Sequence, residues 1–339
     1  MAPDLPRRSV LVGGLVLAGS FGGLVRPARA LAAESPEIIG CDEWGARPNR
    51  DVIPVWNEPP IRIIVHHTAT ANVEDVSRAA ADEVARLIQG FHMDRRGWID
   101  TGQNFTISRG GFVLEGRHRS LEVLRSGRRH VEGAHCTGQN VVAVGIENEG
   151  TYTGEKPPDA LWESLRATCA YICRQYEIRP TEIVGHRDFK DTACPGNALY
   201  GMLPTLRGEV AGVLGERLSG KDARRASWPL LRTDDRGAAV QAAQHLLRAV
   251  GMAAVRADGH FDARTTDAVR RFQTAHRTEE VNGMLGGESW PLLVTAEGGD
   301  PAEVELAVRA LTPAKAVRAS SLSGADDWLR LLDAAARRP

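Results

Sequence analysis

Between about residues 35 and 218, short β-branched or aromatic runs alternate with segments whose apolar residues recur at helical spacing; no other feature restricts the chain as much. A strand hides one face and a helix one stripe. Alternating elements therefore bury their apolar sides by layering helices on a sheet, as a compact α/β domain does. Residues 61–65 form the clearest strand and 78–93 the first helix, with short strands at 104–108, 112–114 and 141–146. A second long helix runs over 158–176, a further short strand over 182–184 and a closing helix over 203–218. Residues 219–227 are small, charged and polar and read as a linker, after which a second apolar unit begins at Trp228.

The N-terminus needs separate treatment. Arg7-Arg8-Ser9 precedes an apolar, glycine-rich run to Val25, and Ala28-Arg29-Ala30 supplies small residues for a signal peptidase. Residues 1–30 thus read as an export signal of twin-arginine type, cleaved after Ala30. An uncleaved anchor is the alternative, but the run is short and weakly apolar for a bilayer span. The segment carries Arg7, Arg8, Arg26 and Arg29 against Asp4, so a chain of net charge −1 becomes more acidic once it is removed. That balance gives no electrostatic support for a nucleic-acid partner, and after signal removal no membrane partner is expected. With 42% hydrophobic and 25% charged residues the composition excludes disorder, collagen and a multi-span membrane protein.

Export places the five cysteines in an oxidising setting. Cys194 is set aside as a candidate metal thiolate. Cys169 and Cys173 lie four apart on one expected helix, where side-chain directions disfavour a mutual bridge. Two pairings remain open, with Cys41 and Cys136 each joined to one member of that pair; four buried free thiols are the other reading.

Three distant segments carry chemistry. Val65-His66-His67-Thr68 ends an apolar strand, where successive side chains point to opposite faces, so one histidine at most ligates a metal there. Gly185-His186-Arg187-Asp188 and Thr192-Ala193-Cys194-Pro195-Gly196 place an imidazole and a thiol on one short loop. Two imidazoles and one thiolate form a set suited to Zn²⁺ with a fourth position open, as in catalytic sites.

The joint order of His66-His67-Thr68-Ala69, Gly97-Trp98 through Phe105, Gly133-Ala134-His135-Cys136, Val144-Gly145-Ile146-Glu147, Gly185 to Asp188 and Cys194-Pro195-Gly196 resembles the zinc amidase and peptidoglycan-recognition protein family. The resemblance covers Trp44 to Cys194 and implies a central mixed β-sheet flanked by helices. Cleavage of the amide between the lactyl group of N-acetylmuramic acid and L-alanine, and zinc held by His66, His186 and Cys194, are also implied. His67 is then a neighbour, either packed behind the strand or beside the substrate. His135 matches a position lining the substrate cleft, with ordering of the loop before Cys136 as the alternative.

Many recognition proteins carry Tyr in Gly-Tyr-Asn-Phe, where this chain reads Gly102-Gln103-Asn104-Phe105. Gln103 donates a hydrogen bond to substrate but cannot act as a base near neutral pH. Related bacterial amidases place the base in Gly-Ile-Glu, which makes Glu147 the general base and acid. Glu149 is the competing carboxylate, and an ion pair with Arg117 or Arg187 is the non-catalytic role for Glu147. Thr192 matches a position that steadies an oxyanion, and Asp188 either orients a ligand or caps a turn.

Residues 228–294 resemble the three-helix peptidoglycan-binding repeat of secreted wall enzymes, with Asp262 where a glycine is usual. Such a repeat implies retention on the wall polymer. Residues 295–339, with a helix over 326–336, form either a degenerate half-repeat or a docking helix. The arginines over 125–129 touch anionic wall polymer or form a solvated face. A secreted, monomeric zinc amidase acting on peptidoglycan is the leading expectation; a non-catalytic recognition protein and a zinc peptidase cutting within the stem peptide are the alternatives.

Overall fold

A computed structural model describes residues 35–313 and 317–336. The export signal expected over 1–30 lies outside the described residues. The first unit contains β1 (Ile38–Ile39), α1 (Cys41–Trp44), β2 (Val55–Trp56), β3 (Arg62–His67), α2 (Arg78–Gly90), β4 (Phe105–Ile107), β5 (Val113–Glu115), α3 (Ser120–Ser126), β6 (His130–Val131), β7 (Ala143–Asn148), α4 (Asp159–Tyr176), β8 (Ile183–Gly185) and α5 (Asn197–Val213). Six strands form one sheet in the order β1-β5-β4-β7-β3-β8, and β2 pairs with β6 in a separate ribbon. The β4–β5 pair is antiparallel and the other pairs of the large sheet are parallel, so the sheet is mixed.

The period of two along each strand sorts the residues between two faces. Ile63 and Val65 of β3, Val144 and Ile146 of β7 and Ile183 of β8 pack against Leu161, Leu165 and Ile172 of α4 and Leu199, Leu203 and Leu206 of α5. Burial of each such side chain contributes about 1.5–3 kcal/mol. Ile64, Ala143 and Val184 face the other way, onto Cys136 and Phe189. Trp44, Ala81 and Ala85 of α1 and α2 cover that second face at Ile39 and Leu114. Helices therefore screen the second face at one end, and the C-terminal ends of β3 and β7 are free to present polar residues.

Two sequence expectations are corrected. The closing helix begins at Asn197, because its buried stripe starts at Leu199, and ends at Val213. The cysteine pairings do not form, and all five cysteines are free thiols. Cys169 and Cys173 lie on the buried side of α4 in the main core, whereas Cys41 and Cys136 lie in clusters on the opposite face of the sheet. The sheet itself separates the expected partners.

The second unit holds α6 (Ala238–Ala249), α7 (Ala263–His276) and α8 (Ser289–Val294), followed by α9 (Pro301–Leu311) and α10 (Ala325–Ala336). Val240, Leu247, Phe261, Val269, Phe272 and Trp290 share its core, and Val308, Leu311, Trp328 and Leu332 of the last two helices join them. The tail is thus part of this bundle. Asp262, the departure from the repeat pattern, caps α7: its carboxylate accepts the Thr265 N–H at 2.9 Å.

Candidate metal centre

The ends of β3 and β7 and the loop after β8 converge on a cleft of about 440 Å³ whose lining includes His66, Glu147, His186, Thr192 and Cys194. One ligating atom from each of His66, His186 and Cys194 lies within 4.8 Å of the others. The His66 and His186 rings are 4.4 Å apart, and Cys194 Sγ is 3.8 Å from His66 Nδ1.

His66 is oriented from behind. Its Nε2 lies 3.0 Å from His135 Nδ1, and His135 Nε2 lies 3.2 Å from the Ala143 carbonyl. A carbonyl only accepts, so His135 carries its proton on Nε2, accepts the His66 Nε2–H at Nδ1, and leaves His66 Nδ1 as a lone pair facing Cys194. Glycine makes this relay fit: a Cβ on Gly145 would lie 2.4 Å from the His135 ring, and one on Gly133 2.5 Å. His135 thus lies against β7 and orders His66. It also borders the cleft.

Burial keeps the imidazoles neutral. It holds His66 well below the usual histidine range, helped by the His186, His135 and His67 rings, and pushes His186 and His135 down to about 3. Neutral imidazole is the ligating form. Burial and the Glu147 charge raise the Cys194 thiol, while the His67 N–H, 3.4 Å from Sγ, opposes them. A bound dication reverses that balance and favours thiolate.

Glu147 stands opposite both His66 and Thr106 in strand register, on their face of the sheet. Its Oε1 is 4.0 Å from His66 Nδ1, and its Oε2 is buried without a hydrogen-bond partner. Burial pushes its pKa up to about 8. Neither arginine considered as its ion-pair partner reaches it: Arg117 donates to the Thr101 and Glu132 carbonyls, and Arg187 to Asn197 Oδ1 and the Ala193 carbonyl. Glu149 is engaged elsewhere, accepting the Arg109 N–H at 2.8 Å. An orphaned carboxylate oxygen beside a His-His-Cys donor set fits a borderline-soft divalent cation with room for further oxygen ligands.

The remaining residues separate clearly. His67 also borders the cleft; its Nδ1 accepts the Tyr152 N–H at 3.2 Å, and its backbone N–H and carbonyl lie 3.4 and 3.9 Å from Cys194 Sγ. Gln103 borders the cleft, but its amide donates to Thr106 Oγ1 at 2.8 Å and accepts from Thr101 Oγ1 at 3.1 Å. Thr192 Oγ1 accepts the Cys194 N–H at 3.2 Å, which leaves the hydroxyl proton to donate. Asp188 caps the turn holding His186 through the Gly185 N–H and also accepts the Tyr200 hydroxyl. Sequence reasoning missed Lys190 and Asp191; a charged pair between two motif segments gives no signal of where it points.

Comparison with known proteins adds to this geometry. The family profile described as N-acetylmuramoyl-L-alanine amidase matches residues 56–197, and one for a peptidoglycan binding domain matches 236–293. Human N-acetylmuramoyl-L-alanine amidase is 34% identical over 190 residues, covering 52% of this chain and 31% of that protein. This chain spans about a third of the length of that protein and of its pig and mouse relatives. Drosophila PGRP-LB is similar at 28% identity and a TM-score of 0.44, over 50% of this chain and 93% of that structure. A peptidoglycan recognition protein of Trichoplusia ni is 33% identical over 166 residues, 48% of this chain and 83% of the insect protein. The match thus takes in most of a complete relative, the amidase profile spans the strand ends and loop that build the cleft, and the chain belongs to the N-acetylmuramoyl-L-alanine amidase and peptidoglycan recognition protein family.

Proposed function

We propose that this chain is an exported zinc amidase that hydrolyses the amide bond between the lactyl group of N-acetylmuramic acid and the L-alanine of the peptidoglycan stem peptide. The observation that carries the reading is Glu147, whose unpartnered Oε2 is buried beside the His66, His186 and Cys194 cluster in an open cleft. His66, His186 and Cys194 would hold a zinc ion, which would supply Lewis acidity toward a carbonyl and lower the pKa of water to about 7.

The protein's own groups account for the proton movements. Glu147 Oε2 accepts the proton of the attacking water and returns it to the departing alanine nitrogen, so one carboxylate is base and then acid. The Thr192 hydroxyl donates to the oxyanion that develops on the carbonyl. His135 keeps the His66 proton on Nε2.

The repeat over 228–294 supports peptidoglycan as the polymer partner. No helix among the described residues is long and apolar enough to cross a membrane. Gln103, where many relatives carry Tyr, favours a second reading as a non-catalytic recognition protein. Glu147 supplies an alternative base and favours the amidase.

Digestion of purified peptidoglycan, with and without a chelator, tests the reading by mass analysis of the released fragments. Free stem peptides beginning at L-alanine, lost on chelation, restored by zinc and absent with Glu147→Gln, are expected. Cuts inside the stem refute the amidase in favour of a peptidase, and binding without cleavage refutes it in favour of a recognition protein.

A further inference from the structure

The loop that carries His186, Thr192 and Cys194 is held by the second unit as well as by its own. Asp191 is completely buried. Its Oδ1 accepts the Gly286 N–H at 2.7 Å and the Ser289 N–H at 3.1 Å; its Oδ2 accepts Gln273 Nε2 at 3.1 Å and the Ser289 hydroxyl. Asn282 Nδ2 donates to the Asp191 carbonyl. These donors all come from the helical unit. A buried carboxylate with such a set of partners is costly to leave unpaired, which couples the two units far more tightly than a tether does.

Backbone packing points the same way. A Cβ on Gly287 would lie 2.4 Å from the carbonyl carbon and oxygen of Asp188 and 2.5 Å from the Arg187 carbonyl oxygen, and one on Gly286 3.0 Å from the Lys190 carbonyl oxygen. The helical unit thus presses bare backbone onto the segment between His186 and Cys194. Around this contact Lys190 Nζ pairs with Glu279 at 2.8 Å and Glu288 at 3.1 Å, and Thr137 donates to Glu279 at 2.9 Å. Glu279, Glu280 and Met284 then continue as part of the cleft lining.

We propose that the helical unit is a working part of the metal site: through Asp191 and the Gly286–Gly287 turn it positions the loop bearing His186, Thr192 and Cys194, and through its 279–284 segment it forms one wall of the substrate cleft. Asp191 is a positioning residue. The inference goes beyond wall retention, and only its activity arm rests on the amidase reading.

The test uses the full chain with Gly287→Ala, which adds one methyl at the contact, and the milder Ser289→Ala, which removes one donor from Asp191. Hydrogen exchange of amides 187–194, zinc affinity by chelator competition, kcat and KM on a soluble muropeptide, and adsorption to sacculi are measured. Exchange about tenfold faster, zinc bound about tenfold more weakly and a fall in kcat on the soluble substrate are expected, with adsorption unchanged. Unchanged exchange and zinc affinity in both folded variants overturn the proposal. If wild-type protein leaves the muropeptide intact, the amidase reading falls, while exchange and zinc affinity still decide this one.

Discussion

Replacing His135 by phenylalanine removes the acceptor that fixes the His66 tautomer while keeping a ring between Gly133 and Gly145. In the wild type His66 Nε2–H has an acceptor 3.0 Å away, and Nδ1 is left to ligate. The variant without metal escapes the loss by moving the proton to Nδ1. With metal bound, Nδ1 is occupied and Nε2–H stays buried without a partner, since His66 is 1% exposed. An unsatisfied buried donor costs about 1–3 kcal/mol, and this cost falls on the metal-bound state alone. At 1.36 kcal/mol per decade, zinc affinity should fall by roughly 5- to 150-fold. Titration against a chromophoric chelator at fixed pH measures it. Gly145→Ala should act in the same direction, because its Cβ would meet the same ring at 2.4 Å. Zinc affinity within about twofold of wild type in a folded His135→Phe protein would refute the relay.

Glu147→Gln should retain zinc yet lose about 10²- to 10⁴-fold in kcat, which chelator titration and muropeptide turnover check together. The same variant should stabilise metal-free protein, because burial pushes the Glu147 pKa from 4.5 up to about 8. Keeping that carboxylate ionised destabilises the fold, so the gain is absent below pH 4.5 and grows by about 1.4 kcal/mol per pH unit until pH about 8; melts in chelator at pH 5 and pH 8 read it. Thr192→Val should lower kcat by about tenfold or more with little change in KM, as loss of an oxyanion donor does; an equal rise in KM at constant kcat would assign Thr192 to ground-state binding. Asp100 accepts from His118 at 2.8 Å, and this bond raises the His118 pKa above 6.5. Its stabilisation is complete below pH 6.5 and fades as pH rises through the shifted value. Asp100→Asn should therefore cost about 1–3 kcal/mol at pH 6 and less at pH 9 in denaturant titrations.

Local chemistry made much of this protein legible. The strand at Ile63–Val65, the long α4 stripe and the helix near the C-terminus follow from apolar spacing that each segment carries alone. The period of two in a strand also required the His66 and His67 rings to part: both residues line the cleft, but His66 Nδ1 faces Cys194 whereas His67 Nδ1 accepts the Tyr152 N–H. The start of α5 was misplaced because Leu199, its first buried residue, lies beyond the stretch that spacing alone had marked. The cysteine pairing failed because counting thiols says nothing about which side of a sheet each one occupies.

The sequence by itself determined the residue types and their order: two imidazoles, a thiol and a carboxylate at strand ends and in one short loop, followed by a separate helical unit. Tertiary structure alone decided which of them meet. Register between β3 and β7 set Glu147 beside His66, while the Arg109 N–H engaged Glu149. Close packing at Gly145 turned His135 into a support for His66, and the Gly286–Gly287 contact brought the helical unit onto Asp191. The physical reason is the same in each case. Backbone preference and apolar period act within a few residues, whereas register, face and docking are settled by burial shared between segments far apart in the chain.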